Sequence, residues 1–207
     1  MVFPALYNGP INYFARLVKQ RVIILEQFDS YSKQSYRNRC IIMGPNGVHA
    51  LSIPVKREKG GGNLLRDIRI DYDTSWNKVH WRGLVASYAT SPFFEYVADE
   101  INPFYEKKFE FLIDLNRQML EYTLDFMGLK IELSYSEAFT PISSEQDPRY
   151  FIHPKKDQAE ADPGFLPGEY HQVFSDRLGF HANLSILDLI FNEGPDALSY
   201  LHACLRT

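Results

Sequence analysis

The sequence predicts an α/β protein, with a small mixed β-sheet from the N-terminal half, flanking helices and a helix-rich C-terminal half. Three observations carry that reading. Compact β-branched runs such as Arg21-Val22-Ile23-Ile24-Leu25 and Cys40-Ile41-Ile42-Met43 have the composition of strands. Apolar residues recur at three- and four-residue spacing over 76–87 and 104–126, the period of amphipathic helices. Strand and helix patterns alternate within the first 25 residues as a βαβ-like unit. At 207 residues, 45% hydrophobic and 23% charged, residues 1–207 are expected to form one domain.

Val2 to Leu6 reads as a short strand ended by the turn cluster Tyr7-Asn8-Gly9-Pro10. Ile11, Phe14, Ala15, Leu17 and Val18 place a helix over 11–20, and a strand over 21–25 follows. The loop before that helix meets its N-terminus, where unpaired N–H groups favour anions. Residues 31–39, polar, aromatic and basic with no acid, read as extended. A strand over 40–43, the turn Gly44-Pro45-Asn46-Gly47 and a strand over 48–55 make a hairpin, with Asn-Gly as its turn signal. Residues 56–63 read as a mobile loop, and 67–72 as a strand with one wet face.

Trp76, Val79, His80, Gly83, Leu84 and Ser87 share one face of a helix that ends before Ser91-Pro92. A single longer helix is expected after Pro103, with Phe104, Phe111, Leu112, Leu115, Met119, Tyr122 and Phe126 as its stripe and Gly128 as its stop. Residues 130–135 read as a strand, and 141–168, with five prolines, as a long loop or lid. Helices over 184–191 and 196–205 close the chain around a Gly194-Pro195 break.

Composition narrows the function classes. Two cysteines build no disulfide framework or cysteine-based zinc site, no apolar run approaches the roughly 20 residues of a membrane span, and the N-terminus lacks signal-peptide character. A cytoplasmic location is the expectation. A net charge of −4 argues against nucleic acid, whose partners carry a strong positive excess. Residues 1–90 nevertheless hold 13 Lys and Arg against 6 Asp and Glu, whereas residues 91–207 hold 9 against 20. Such asymmetry marks either a surface for an anionic ligand or a basic half that answers the chain's own acids.

If 31–39 is extended, Lys33, Ser35, Arg37 and Arg39 share one face, and Gln34, Tyr36 and Asn38 the other. Three cations in a row suit a pyrophosphate, because guanidinium forks match phosphate oxygens; a charged edge strand that blocks aggregation is the alternative. Alanine at Arg37 and Arg39 is then expected to weaken anion binding and leave folding intact. His80 is a candidate proton-transfer group, with Ser35 beside it in the catalytic set, or else a structural histidine. Trp76, on the same face, offers an aromatic wall for a base or sugar, or is core. Arg82 joins the substrate-binding set.

Ser185 and Asp188 have the spacing of a helix N-cap and its N3 partner. Asp188 and Glu193 alternatively answer the basic half, or hold a divalent metal with phosphate. Gly60-Gly61-Gly62 lacks the Gly-x-x-x-x-Gly-Lys-Ser/Thr pattern of a phosphate loop, and Tyr170, His171, Gln172 and His181 lack metal-ligand spacing. No metal and no cofactor are expected. Cys40 reads as buried and inert.

The chain resembles the WbqC-like proteins. The resemblance rests on Ile11-Asn12-Tyr13-Phe14, on Lys33-Gln34-Ser35-Tyr36-Arg37-Asn38-Arg39, and on Val79-His80-Trp81-Arg82 followed by Tyr88 and Ser91-Pro92-Phe93-Phe94. It extends through Asn183-Leu184-Ser185-Ile186-Leu187-Asp188-Leu189-Ile190-Phe191-Asn192-Glu193-Gly194-Pro195. It implies an association with bacterial surface-polysaccharide (O-antigen) gene clusters and names no reaction. It brings Asn12, Tyr13, Tyr88 and Asn192 into the substrate-binding set. The combined expectation is a group-transfer enzyme of glycoconjugate assembly that takes a phosphate-bearing small-molecule donor, a sugar nucleotide or an acyl thioester of phosphopantetheine. A non-catalytic binding or assembly protein of the same pathway is the alternative.

Overall fold

A computed structural model describes residues 1–56, 63–142, 144, 147–152, 162 and 164–205. Three parallel strands, β1 (Val2–Pro4), β2 (Val22–Glu26) and β7 (Glu132–Tyr135), form a sheet in the order β1-β2-β7. Helix α1 (Ile11–Leu17) crosses from β1 to β2 and is buried along almost its whole length, Asn12 included, with Arg16 partly exposed. The α/β class stands. The strands, however, divide among three small sheets rather than one mixed sheet, and the C-terminal half supplies β7.

The second sheet is the hairpin β3 (Arg39–Gly44) and β4 (Gly47–Ser52). Its closing pair is Gly44 and Gly47, so Pro45 and Asn46 are the central turn residues. Gly47, at φ 114, supplies the conformation a side chain resists. The returning strand stops at Ser52, and a separate pair, β5 (Val55–Lys56) and β6 (Arg69–Ile70), forms the third sheet. The Gly60–Gly62 segment lies outside the described residues, as do 143, 145, 146, 153–161 and 163 of the expected lid.

Helix α2 (Trp76–Tyr88) buries Trp76, His80, Leu84, Ser87 and Tyr88, while Val79, expected on that face, is 61% exposed. The single helix expected after Pro103 is two. Between α4 (Pro103–Glu106) and α5 (Leu112–Phe126) the chain runs beside β6: Ile70 N donates to Glu110 O at 3.0 Å and Leu112 N to Ile68 O at 2.9 Å. Tertiary pairing there overrides a continuous helical stripe. The stop at Gly128 holds, at φ 70. Sequence periodicity passed over α3 (Phe94–Ile101), the one-turn α6 (Pro148–Phe151) and the one-turn α7 (Ser175–Leu178). Helices α8 (Ile186–Glu193) and α9 (Ala197–Ala203) close the chain, with a 3-10 turn at Gly194–Asp196.

The carboxyl end of β2 is fixed by a cluster of hydrogen bonds around the Glu26 carboxyl group. Glu26, fully buried, accepts from Phe28 N (2.8 Å), Ser136 Oγ (2.7 Å) and Thr140 N (2.9 Å), and Arg149 Nη1 stands 3.7 Å away. A buried carboxylate is tolerable only with such a complement of donors. The cluster ties the loops that leave β2 and β7 to one another, on the side of the sheet where the candidate site lies.

Candidate functional site

The stretch 31–38 is a chain of turns, not a strand. Gln34 takes φ 58, Ser35 Oγ donates to Ser32 O (2.8 Å), and the Tyr36 carbonyl accepts from Tyr7 N (2.9 Å). Local hydrogen bonds of Ser and Asn compete with extended pairing in such segments. The expected row of cations is therefore broken. Arg37 turns to Asp29, Nη2 to Oδ2 at 2.8 Å, while its carbonyl accepts from Asn116 Nδ2 (2.7 Å). Ser35 is 2% exposed and holds the turn, which removes it from the catalytic position expected of it. Tyr36 is buried, and desolvation pushes its phenol up to about 12.

Lys33, Gln34, Asn38 and Arg39 instead converge, from both of the expected faces, on a cavity of about 850 Å³. Its other walls are Tyr31, the run Ala50–Val55, and Thr74, Ser75, Trp76, Val79 and His80 around the first turns of α2. Tyr31 and Lys33 come from the loop leaving β2, so the cavity opens beside the carboxyl end of the parallel sheet, where ligands of open α/β sheets bind.

Among the described residues Lys33 and Arg39 are the only charged side chains lining this cavity at neutral pH, and neither makes an ion pair. Arg39 Nε donates to Ser52 Oγ at 3.2 Å, which leaves the terminal nitrogens of its guanidinium available. The first turn of α2 has no acidic residue and no side-chain cap, so its free N–H groups add positive potential. Two buried polar atoms of lining residues, Asn38 Oδ1 and Trp76 Nε1, have no hydrogen-bond partner among the described residues. Trp76 is 5% exposed and packs against Tyr72 and His80 at 5.7 and 5.0 Å, so it presents an edge rather than an open face for stacking.

His80 forms the floor. Its Nδ1 lies 2.9 Å from Tyr7 Oη; Tyr7 Oη lies 3.1 Å from Tyr105 Oη, and Asn8 Nδ2 donates to Tyr105 Oη at 3.4 Å. Burial lowers the imidazole to about 4, with the Ser52 backbone opposing the shift. The ring is thus neutral near pH 7. Tyr7 is the residue that sequence reasoning missed. It stood in a segment read only as a turn, although a tyrosine directly after a first strand was a usable signal.

The remaining expected site residues lie elsewhere. Arg82 is exposed on another face of α2, in a smaller cavity with Asn77, Lys78, Trp81, Asn102, Tyr105 and Glu106. Tyr13 is core, its hydroxyl donating to Pro4 O at 2.9 Å. Asn12 N donates to Asn183 Oδ1 (2.8 Å). Asp188 is buried and accepts from Tyr88 Oη (2.8 Å), Tyr170 Oη (2.5 Å) and Gln172 Nε2 (3.0 Å). Burial outweighs these donors and raises its carboxyl to about 6. Asn192 Nδ2 donates to the Asp188 carbonyl (2.7 Å), and Glu193 sits partly exposed at the end of α8. None of Arg82, Asn12, Tyr13, Tyr88, Asp188, Asn192 and Glu193 lines the 850 Å³ cavity. Ser185 is the N-cap of α8, its Oγ accepting from Leu187 N at 3.3 Å; the Asp188 side chain, engaged by the tyrosines, does not reach back to complete the box. Cys40 is buried and its thiol is pushed up to about 12.

Among the described residues no cluster of His, Cys, Asp and Glu is placed to hold a metal ion, and no helix is long and apolar enough to cross a membrane. The chain is 26% identical over 199 residues to an uncharacterized protein of Mycobacterium tuberculosis, Rv1507c, with 84% of each chain covered. No solved structure matches it. The profile of the WbqC-like protein family matches residues 6–161, a span that includes every described wall of the cavity, and the chain belongs to that family.

Proposed function

We propose that the 850 Å³ cavity binds a phosphate-bearing small-molecule donor, and that the protein transfers a group from it in bacterial surface-polysaccharide or other glycoconjugate assembly, in the cytoplasm. One observation carries the reading: in a chain of net charge −4, the charged side chains lining the cavity among the described residues are Lys33 and Arg39, and no described carboxylate lines it with them. Two neighbouring cations without carboxylate partners leave a local positive potential that an anion completes. The pathway rests on the family resemblance alone.

In this reading Lys33 and Arg39 hold the phosphate, Arg39 through its planar fork and Lys33 as a mobile point charge. Asn38 and Gln34 orient the group that follows. His80, neutral and held between Tyr7 and the Ser52 backbone, moves a proton at the cavity floor once one of those contacts gives way to the ligand. Phosphate bound nearby raises the imidazole pKa again, since an adjacent anion favours the charged ring, and so moves His80 towards the range useful for proton transfer.

A non-catalytic binding role is the second reading, and a specific observation favours it. An imidazole lowered to about 4 is a weak base, and the Ser35 hydroxyl is engaged inside its own turn. Calorimetry at low salt against pyrophosphate, a uridine diphosphate sugar and coenzyme A tests the shared claim. Heat that disappears in the Lys33→Ala, Arg39→Ala double variant supports it; no heat with any of the three removes it. His80→Gln separates the two readings: turnover of an identified donor is lost if His80 moves a proton and kept if it does not.

A further inference from the structure

We infer, resting on the binding reading above, that the donor carries a phosphopantetheine arm: its phosphate meets Lys33 and Arg39 while its amides pair with the outer edge of β4. Among the described residues strand β4 has one partner strand, β3. The ladder continues past its end through Ile53 N, which donates to Asn38 O at 2.8 Å. Amide directions alternate along an antiparallel strand, so the N–H groups of Ala50 and Ser52 point away from β3. Neither finds a partner among the described residues. The cavity follows the six residues from Ala50 to Val55, roughly 17 Å of extended chain at about 3.4 Å per residue. The outward N–H groups of Ala50 and Ser52, beside two cations without ion pairs, match an extended ligand with amides along its length and phosphate at one end, the strand-addition mode of recognition; the Ser52 carbonyl on that edge is already taken by His80.

The sugar-nucleotide alternative asks for features this cavity lacks among the described residues. Its aromatic walls, Tyr31 and Trp76, are 6% and 5% exposed and offer no open ring face to a base. No carboxylate is present to take ribose hydroxyls. The edge of β4 supplies directional backbone groups instead, and Pro54, Val55 and Val79 supply apolar wall for the arm's carbon skeleton.

Free coenzyme A and the prosthetic group of a carrier protein share this arm. The test is an NMR titration of the full-length, 15N-labelled protein with 4′-phosphopantetheine, coenzyme A, a uridine diphosphate sugar and inorganic pyrophosphate in parallel. The expected result is phosphopantetheine binding at least about tenfold tighter than pyrophosphate, with the Ala50 and Ser52 amide resonances shifting. Coenzyme A binding more tightly still identifies the free cofactor as source, and equal binding identifies a carrier-borne arm; either supports the inference. Ala50→Pro deletes one outward N–H on the side away from β3 and is expected to weaken phosphopantetheine about tenfold while pyrophosphate binding stays within twofold. A 15N correlation spectrum of Ala50→Pro that keeps the dispersed wild-type pattern away from β4, together with its retained pyrophosphate binding, controls for a disturbed fold. The inference is overturned if phosphopantetheine binds no tighter than pyrophosphate, if the sugar nucleotide binds tightest, or if Ala50 and Ser52 do not respond. Failure of all four probes takes the binding reading down as well, whereas pyrophosphate or sugar-nucleotide binding abolished by Lys33→Ala leaves that reading standing and removes only this one.

Discussion

Tyr7 Oη lies 2.9 Å from His80 Nδ1, in a contact closed to solvent that joins the loop after the first strand to the second helix. The bond fixes the ring orientation of the one histidine that lines the cavity among the described residues, and prolongs inward through Tyr105 and Asn8. Tyr7→Phe keeps the ring packing and deletes the hydroxyl. It is expected to cost about 1–3 kcal/mol, because a buried nitrogen loses its partner. The measurement is chemical denaturation, paired with 15N shifts of the His80 ring, in which the tautomer ratio changes for the variant and His80 stays neutral at pH 7.

The histidine also predicts a pH dependence of stability. Its folded pKa, about 4, lies below the ordinary 6.5, so between those values the unfolded chain binds the proton and the folded chain does not. The contribution is fully present above pH 6.5 and is lost as pH falls towards 4, by about 3 kcal/mol in all. His80→Gln should flatten that loss. Urea midpoints at pH 7 and pH 5, for both proteins, check it; parallel slopes would refute it.

Asp188 acts in the opposite sense. Its folded pKa of about 6 lies above the ordinary 3.8 of an aspartate, so the folded state is favoured by protonation: the contribution is present below pH 4 and lost as pH rises through 6. Asp188→Asn removes that titration, and between pH 4 and 6 its stability should rise more steeply with pH than that of the wild type. The same denaturation series reads it.

The two arginines of the 31–39 segment should behave differently, against the sequence-based expectation that both are free for ligand. Arg37→Ala breaks a largely buried pair with Asp29 and is expected to destabilise the fold by about 1–3 kcal/mol. Arg39→Ala should leave the melting temperature nearly unchanged and weaken pyrophosphate. Thermal melts and calorimetry on the two single variants make the comparison.

Gly194, at the stop of α8, has φ 51, and a Cβ there would stand 2.5 Å from the Phe93 ring. Gly194→Ala is expected to cost about 1–3 kcal/mol through strain and overpacking, with ligand affinity unchanged because the cavity lies elsewhere.

The legible parts of this chain were those whose local preference agrees with their tertiary setting. The β1-α1-β2 unit, the Pro45-Asn46 hairpin, α2 and the Gly128 and Gly194 stops all announce themselves in composition and spacing. Residues 107–111 did not, because their pairing with Ile68 and Ile70 comes from a distant segment. In 31–39 the residue types were informative and the geometry was not: alternation assumes a strand, while the Gln34 turn sends Arg37 inward and brings Gln34 and Asn38 beside Lys33 and Arg39. Asp188 and Tyr88 showed polar residues in apolar helices, a pattern shared by ligand sites and by buried structural networks; the three donors on Asp188 decide for the network.

A second basic cavity, of about 410 Å³, lies among Lys56, Arg69, Tyr72, Lys108 and Glu110, and its cations Lys56 and Arg69 are paired with Asp71, Asp73 and Glu110. It supplies the sharpest contrast for the central claim. A crystal structure of the protein soaked with coenzyme A or pyrophosphate should place phosphate oxygens within hydrogen-bond reach of Lys33 Nζ and the Arg39 guanidinium, above the His80 ring. Phosphate density seated at Lys56, Arg69 and Lys108, with the larger cavity bare, would contradict the account.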